Sequence, residues 1–178
     1  KGAGLYFHPI ADPVMEKIGK KGKTTEFIYH DALVEESILY FILYKFAKDL
    51  PADIKSYIDS FTQTRTKTLT EVVKENVVEI VVDEETGEEK EVKKVVSKNV
   101  TTEVSYEYTT LVEDFGKDEK FLELLNDMLA KKDTYSLMVG EDLITHPNSE
   151  NLAKLCGIID RYTEFNVVII PTQTNTLG

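Results

Sequence analysis

Residues 135–170 read "YSLMVGEDLITHPNSENLAKLCGIIDRYTEFNVVII", two short apolar runs enclosing a helical stripe. Tyr135–Gly140 and Asn166–Ile170 are too short for core helices and read as strands. Between them Leu152, Leu155, Cys156 and Ile159 recur at i, i+3, i+4 and i+7, which predicts an amphipathic helix beginning near Pro147. Strand, helix and strand, with the strands fully apolar, predict a βαβ crossover onto a parallel sheet whose faces are both covered.

Toward the amino terminus the same vocabulary returns. Leu5–Phe7 is a short strand ending at His8-Pro9, and Asp12-Pro13 supplies a cap and then a proline at the start of a helix over residues 12–19. Thr24–Tyr29 reads as a second strand. Asp31 is placed to cap a long helix that ends near Leu50-Pro51, where proline cannot continue it. Val34, Ile38, Phe41, Ile42 and Phe46 keep helical spacing, while Leu39, Tyr40, Leu43 and Tyr44 fill most other faces. A helix apolar nearly all round is buried on several sides. Residues 51–61 suit a second helix, and Phe121, Leu124, Leu125 and Met128 mark another over residues 117–131.

The character changes in between. "TQTRTKTLT" at Thr62–Thr70 reads as a linker, followed by "VVEIVV" at Val77–Val82, an acidic turn, and "EVKKVV" at Glu91–Val96. Val100, Thr102, Val104, Tyr106 and Tyr108 alternate strictly with polar residues, the pattern of antiparallel strands with one wet face. Gly87 suits the turn, and Asp83–Glu89 carries acid at five of its seven positions. The expectation is an α/β, Rossmann-like domain over residues 1–69 and 113–178. It has a mostly parallel sheet with flanking helices, interrupted by an antiparallel β-hairpin insertion at residues 70–112.

Composition narrows the function. The chain has 178 residues, 42% hydrophobic and 30% charged, which is the profile of a globular domain. A net charge of −11 repels phosphate backbones, so no nucleic-acid partner is expected. One cysteine, Cys156, forbids an intrachain disulfide or a cysteine-ligated cluster, and His8, His30 and His146 show no metal-ligand spacing. The most apolar run, Ser37–Tyr44, is far short of the roughly 20 residues that span a bilayer. No membrane insertion and a cytoplasmic location are therefore expected. The chain opens without methionine at a strand edge and closes in a polar loop, which reads as a segment of a longer protein.

Ligands of open parallel sheets bind beyond the carboxyl ends of the strands. That rule selects His8-Pro9, His30-Asp31, "GEDLITHP" at Gly140–Pro147 and "PTQTNTLG" at Pro171–Gly178. Glu141 and Asp142 can accept hydrogen bonds from a base or an amine. Thr172, Gln173, Thr174 and Asn175 can contact an uncharged polar ligand. Polar residues are also simply what loops contain, His8 suits a hydrogen-bonded turn, and His146-Pro147 suits a helix start. There is no GxGxxG or Walker sequence to cradle phosphate, and no nucleophile–base pair is detectable. No catalytic residue and no metal ligand are assigned.

"GLYFHPIADPVMEKIGK" at Gly4–Lys20 and "VGEDLITHPNSENLAKLCGIIDRYTEFNVVIIPTQTNTLG" at Val139–Gly178 resemble a known family. The likeness is to the molybdopterin-oxidoreductase-like region of the large iron–sulfur subunit (the G subunit) of bacterial NADH–quinone oxidoreductase, respiratory complex I. The two segments cover about a third of the chain. The resemblance implies a structural or assembly domain of an electron-transfer subunit, without a catalytic centre of its own. Its partners would be the rest of its subunit and other peripheral-arm subunits, on the cytoplasmic side of the inner membrane. The parent would carry iron–sulfur clusters in other domains, with no cofactor here and no molybdopterin. His8, Glu141, Asp142, Thr172 and Asn175 would line a vestigial cleft. The alternatives are a cofactor-binding part of a functional molybdopterin oxidoreductase and, apart from the family, a nucleotide-binding α/β module.

Overall fold

A computed structural model describes residues 4–22, 25–82, 89–129 and 135–171. In chain order these form β1 (Gly4–His8), α1 (Pro13–Gly22), β2 (Thr25–Tyr29), α2 (Glu35–Phe46), α3 (Ala52–Asp59), β3 (Thr62–Val82) and β4 (Glu89–Thr109). There follow α4 (Leu111–Asp114), α5 (Glu119–Leu129), β5 (Tyr135–Val139), α6 (Glu141–Ile144), α7 (Ser149–Tyr162) and β6 (Phe165–Ile169). The chain divides into two compact units, residues 1–63 with 108–178, and residues 64–107.

The first unit contains two parallel strand pairs. β1 pairs with β2 in the register Gly4↔Thr25 to His8↔Tyr29, and β5 with β6 from Tyr135↔Phe165 to Val139↔Ile169. Ile170 N–H donates to the Val139 carbonyl at 2.8 Å and carries the second ladder one bond further. Each pair is a βαβ crossover, as the opening stretch predicts. The described strands nevertheless form three two-stranded sheets, not one continuous mostly parallel sheet. The strands are also less buried than their apolar sequences suggest. β5 alternates between half-buried and exposed until Val139, and Met138 is 70% exposed. Among the described residues β5 pairs with β6 alone.

Local chemistry explains the helix starts. Asp12 Oδ1 accepts the N–H groups of Val14 (2.9 Å) and Met15 (3.1 Å), and Pro13 fills the first position, where no N–H is needed. The expected Asp31 cap is not used. α2 begins at Glu35 after Val34, because Leu33 takes φ 75°, a left-handed conformation a helix cannot contain. At the far end Ala47 is extended and Asp49 has φ 57°, so the helix stops before Pro51.

α2 is the centre of the core. Ile38, Leu39, Phe41, Ile42 and Leu43 are buried, and the helix packs against α7, whose Leu152, Leu155, Cys156 and Ile159 are buried in turn. Each such side chain contributes about 1.5–3 kcal/mol by leaving water. Phe41, Phe115 and Phe121 meet edge-on or tilted at 5.6–5.9 Å, and Phe7 joins through Phe115. Polar contacts fix the α2–α7 register: the Asn148 and Asn151 side-chain amides both donate to Glu36.

The second unit belongs to β3 and β4, an antiparallel pair of 21 residues each. Thr62–Thr70, expected as a linker, is strand. Its threonines stand at every second position, and β-branched residues with period two fit a pleated strand. The insertion therefore begins earlier than residue 70. It also ends earlier than 112, since Leu111 and Val112 lie in α4 and are fully buried in the first unit. Within the first unit, Thr110 N–H donates to the Phe61 carbonyl (2.8 Å) and Tyr108 O–H to Glu113 (2.9 Å). Of the face expected to be apolar, Val100, Thr102 and Val104 are exposed, Tyr106 is half-buried and Tyr108 is buried, while Thr101, Glu103, Ser105 and Glu107 on the other face are all exposed. The acidic turn with Gly87 lies outside the described residues.

Candidate functional site

A cleft of 760 Å³ opens in the α/β unit. Its walls are β1, from Leu5 to His8, and β5, from Ser136 to Gly140 and on to Glu141. Ile38 and Leu39 of α2, His30 and Glu35 also line it. The chain places these groups by simple means. His8 ends β1, His30 follows β2, Glu35 opens α2 and Glu141 opens α6. The cleft thus collects polar groups from strand ends and helix starts around an apolar body.

Each polar group has a defined setting. Ile10 N–H donates back to His8 Nδ1 at 3.0 Å, and the ring stacks on Tyr6 at 5.8 Å. His8 is thus a turn residue that also faces the cleft. His30 is 8% exposed, and its Nδ1 donates to the Asp31 carbonyl at 2.8 Å, which leaves Nε2 as an acceptor in the neutral ring. Glu141 is exposed at the start of α6, and the Thr145 N–H donates to its carbonyl. Residues 141–144, expected as loop, form a helical turn.

The buried couple beneath the cleft was not expected. Glu35 Oε2 lies 3.4 Å from His146 Nε2, with the two side chains only 10% and 4% exposed. Asn148 N–H donates to His146 Nδ1 at 2.9 Å, so the proton of a neutral imidazole sits on Nε2 and faces the carboxylate. Neither atom completes a well-shaped hydrogen bond among the described residues, so the two lean on each other electrostatically. His146 lies just ahead of α7, but the helix begins at Ser149 and not at the expected Pro147. Glu35 carried no signal in the sequence. It is one of several acidic residues near a helix start, and its partner is far away along the chain.

Of the other expected residues, the structure brings His8 and Glu141 to the same cleft. The Asp142 side chain and residues Thr172, Gln173, Thr174 and Asn175 lie outside the described residues. Cys156 borders a separate apolar cavity of 370 Å³, and burial pushes its thiol above the usual range, the opposite of an activated nucleophile. Among the described residues no three His, Cys, Asp or Glu side chains converge to hold a metal ion. No described helix is long and apolar enough to cross a membrane.

The cleft's charge is one-sided. Glu35 and Glu141 line it, together with two histidines, and among the described residues none of its lining is lysine or arginine. Such a surface can accept hydrogen bonds from amines, amides and guanidinium groups. Its described lining residues offer no cationic side chain to the pyrophosphate of a pterin dinucleotide. Comparison with protein-family models, curated proteins and solved structures returns no match.

Proposed function

We propose that this chain is a structural, assembly-related domain of an electron-transfer subunit, Rossmann-like in ancestry and without a catalytic centre. On its sequence resemblance it belongs to the large iron–sulfur subunit of a bacterial NADH–quinone oxidoreductase, peripheral to the inner membrane. The parent protein carries the iron–sulfur clusters in other domains. In this reading the domain docks on the remainder of its own subunit and on other peripheral-arm subunits.

One observation supports this most. The cleft gathers strand ends, where ligands of open parallel sheets bind, and its described lining carries Glu35 and Glu141 but no lysine or arginine. The reading is tested on the native, full-length parent, recovered from source cells with an antibody to this chain and assayed for iron, molybdenum and pterin. Iron without molybdenum, in a membrane-associated multisubunit assembly, is the expected result. Stoichiometric molybdenum with a pterin would overturn it and make the cleft part of a cofactor site.

A further inference from the structure

His146 stands where two helices begin. It follows α6, precedes the Asn148 cap position of α7, and lies 3.4 Å from Glu35 in the first turn of α2. Its two ring nitrogens have opposite tasks. Nδ1 accepts the Asn148 N–H at 2.9 Å, while Nε2 faces the Glu35 carboxylate, the two side chains being 4% and 10% exposed. A nitrogen that accepts an N–H carries no proton, so the neutral ring holds its proton on Nε2. Asn148 in turn anchors α7. Its carbonyl accepts the Leu152 N–H at 3.1 Å, and its side-chain amide donates to Glu36 at 3.2 Å.

We propose that His146 is a proton-driven switch between the starts of α2 and α7, neutral when it holds Asn148 and charged when it gives up that bond for Glu35. A proton from solvent can add only at the Nδ1 lone pair, because Nε2 already carries one. Nδ1 then becomes a donor, and the Asn148 N–H opposite it loses its acceptor. The same event puts a positive charge on the ring opposite the carboxylate, and charge-assisted hydrogen bonds are the stronger ones. Acid thus exchanges a backbone bond at the cap of α7 for an ion pair with α2. Imidazole is the side chain that ordinarily changes charge between pH 5 and 8. The other charged groups around the couple have their own settings. Glu36 is held by the Asn148 and Asn151 amides, and Tyr57 of α3 lies in its field. Asp114 of α4 accepts from Ser37 at 2.6 Å, and Glu141 of α6 lines the cleft with Glu35. Glu150 of α7 is paired with Lys154 at 2.7 Å, and Lys55 of α3 with Asp59 at 2.8 Å. The two histidines of the cleft bond within the turns after β1 and β2: His8 Nδ1 accepts from Ile10, and His30 Nδ1 donates to the Asp31 carbonyl. The switch is a property of this fold, whichever complex the domain serves.

The full 178-residue chain is titrated by NMR from about pH 8 to 5, reading the ring nitrogens of His146 and the amide of Asn148. At the alkaline end His146 is expected as the Nε2–H tautomer. As the ring gains its second proton, the Asn148 amide should shift with the same midpoint. Its protection against exchange, referred to the unstructured rate at each pH, should fall at least about threefold, the worth of one hydrogen bond. Glu35→Gln removes the anion but keeps the ring, and should move that midpoint to lower pH. His146→Gln should abolish the Asn148 response, whereas His8→Gln and His30→Gln should leave it in place. An Nδ1–H tautomer at the alkaline end, a ring that stays neutral throughout, or an Asn148 amide that does not follow the ring overturns the proposal. So does a midpoint indifferent to Glu35→Gln, or global unfolding before the ring is charged.

Discussion

The two units of this chain use the same β-branched residues to different ends. In β4, Val100 and Val104 alternate regularly with polar neighbours, yet both are 40% exposed or more. In β5, Val139 follows a less regular pattern and is 5% exposed. The difference lies in what stands opposite. Among the described residues the ribbon is a two-stranded pair with no third layer within its own unit, whereas Val139 borders a cavity together with Leu152 and Cys156 of α7. Alternation makes a strand; burial requires something to cover it.

That contrast can be broken by mutation, beginning where burial is deepest. Leu152→Ala removes a fully buried side chain of α7 and is expected to cost about 2–5 kcal/mol in denaturant unfolding. His146→Ala comes next. It leaves the Glu35 carboxylate buried without its imidazole, at about 1–3 kcal/mol, and adding Glu35→Gln should restore part of the loss. A double-mutant cycle showing strict additivity would mean that the two groups do not interact.

A smaller effect, of opposite sign, is expected at Leu33, whose φ of 75° strains any residue with a Cβ. Leu33→Gly should stabilise the fold by up to about 1 kcal/mol, and a loss would show that the side chain makes a compensating contact. Val104→Ala in the ribbon should stay within about 0.5 kcal/mol, as surface changes do. A cost comparable with that of Leu152→Ala would show that the ribbon face is covered in solution.

Cys156 adds a dependence on pH. Burial raises its thiol above the ordinary 9.0, so the unfolded chain ionises first as the solution is made alkaline. Its contribution to stability is complete below the ordinary value and is lost as pH rises through the folded one. Alkylation at mildly alkaline pH should therefore be slow in the native chain and fast in denaturant. Rapid native alkylation would mean that the α7 face of the core opens readily.

Much of the architecture was legible locally. The Asp12-Pro13 start, the stripe on α7 and the short apolar strands each carry their own signal within a few residues. Asp31 misled because capping chemistry was present but the backbone turned left-handed at Leu33 first. The Thr62–Thr70 stretch misled because a threonine-rich composition suggests a loop, while its period of two is that of a strand. For the site, His8 and Glu141 were found from the rule that ligands lie beyond strand ends. His30 was marked by the same rule. Glu35 was not, because a carboxylate at a helix start is ordinary until its neighbours in space are known.

The sequence by itself determined the longer helices and the short strands of the α/β unit, and that strand, helix and strand form parallel crossovers. These follow from periodicity, capping and proline, which act within one or two turns of the chain. Only the tertiary structure decided that Glu35 meets His146, that the described strands form separate pairs, and that residues of β1, α2 and β5 border one cleft. Those depend on how distant segments share the volume around α2, and contacts between distant segments leave no periodic trace in the sequence.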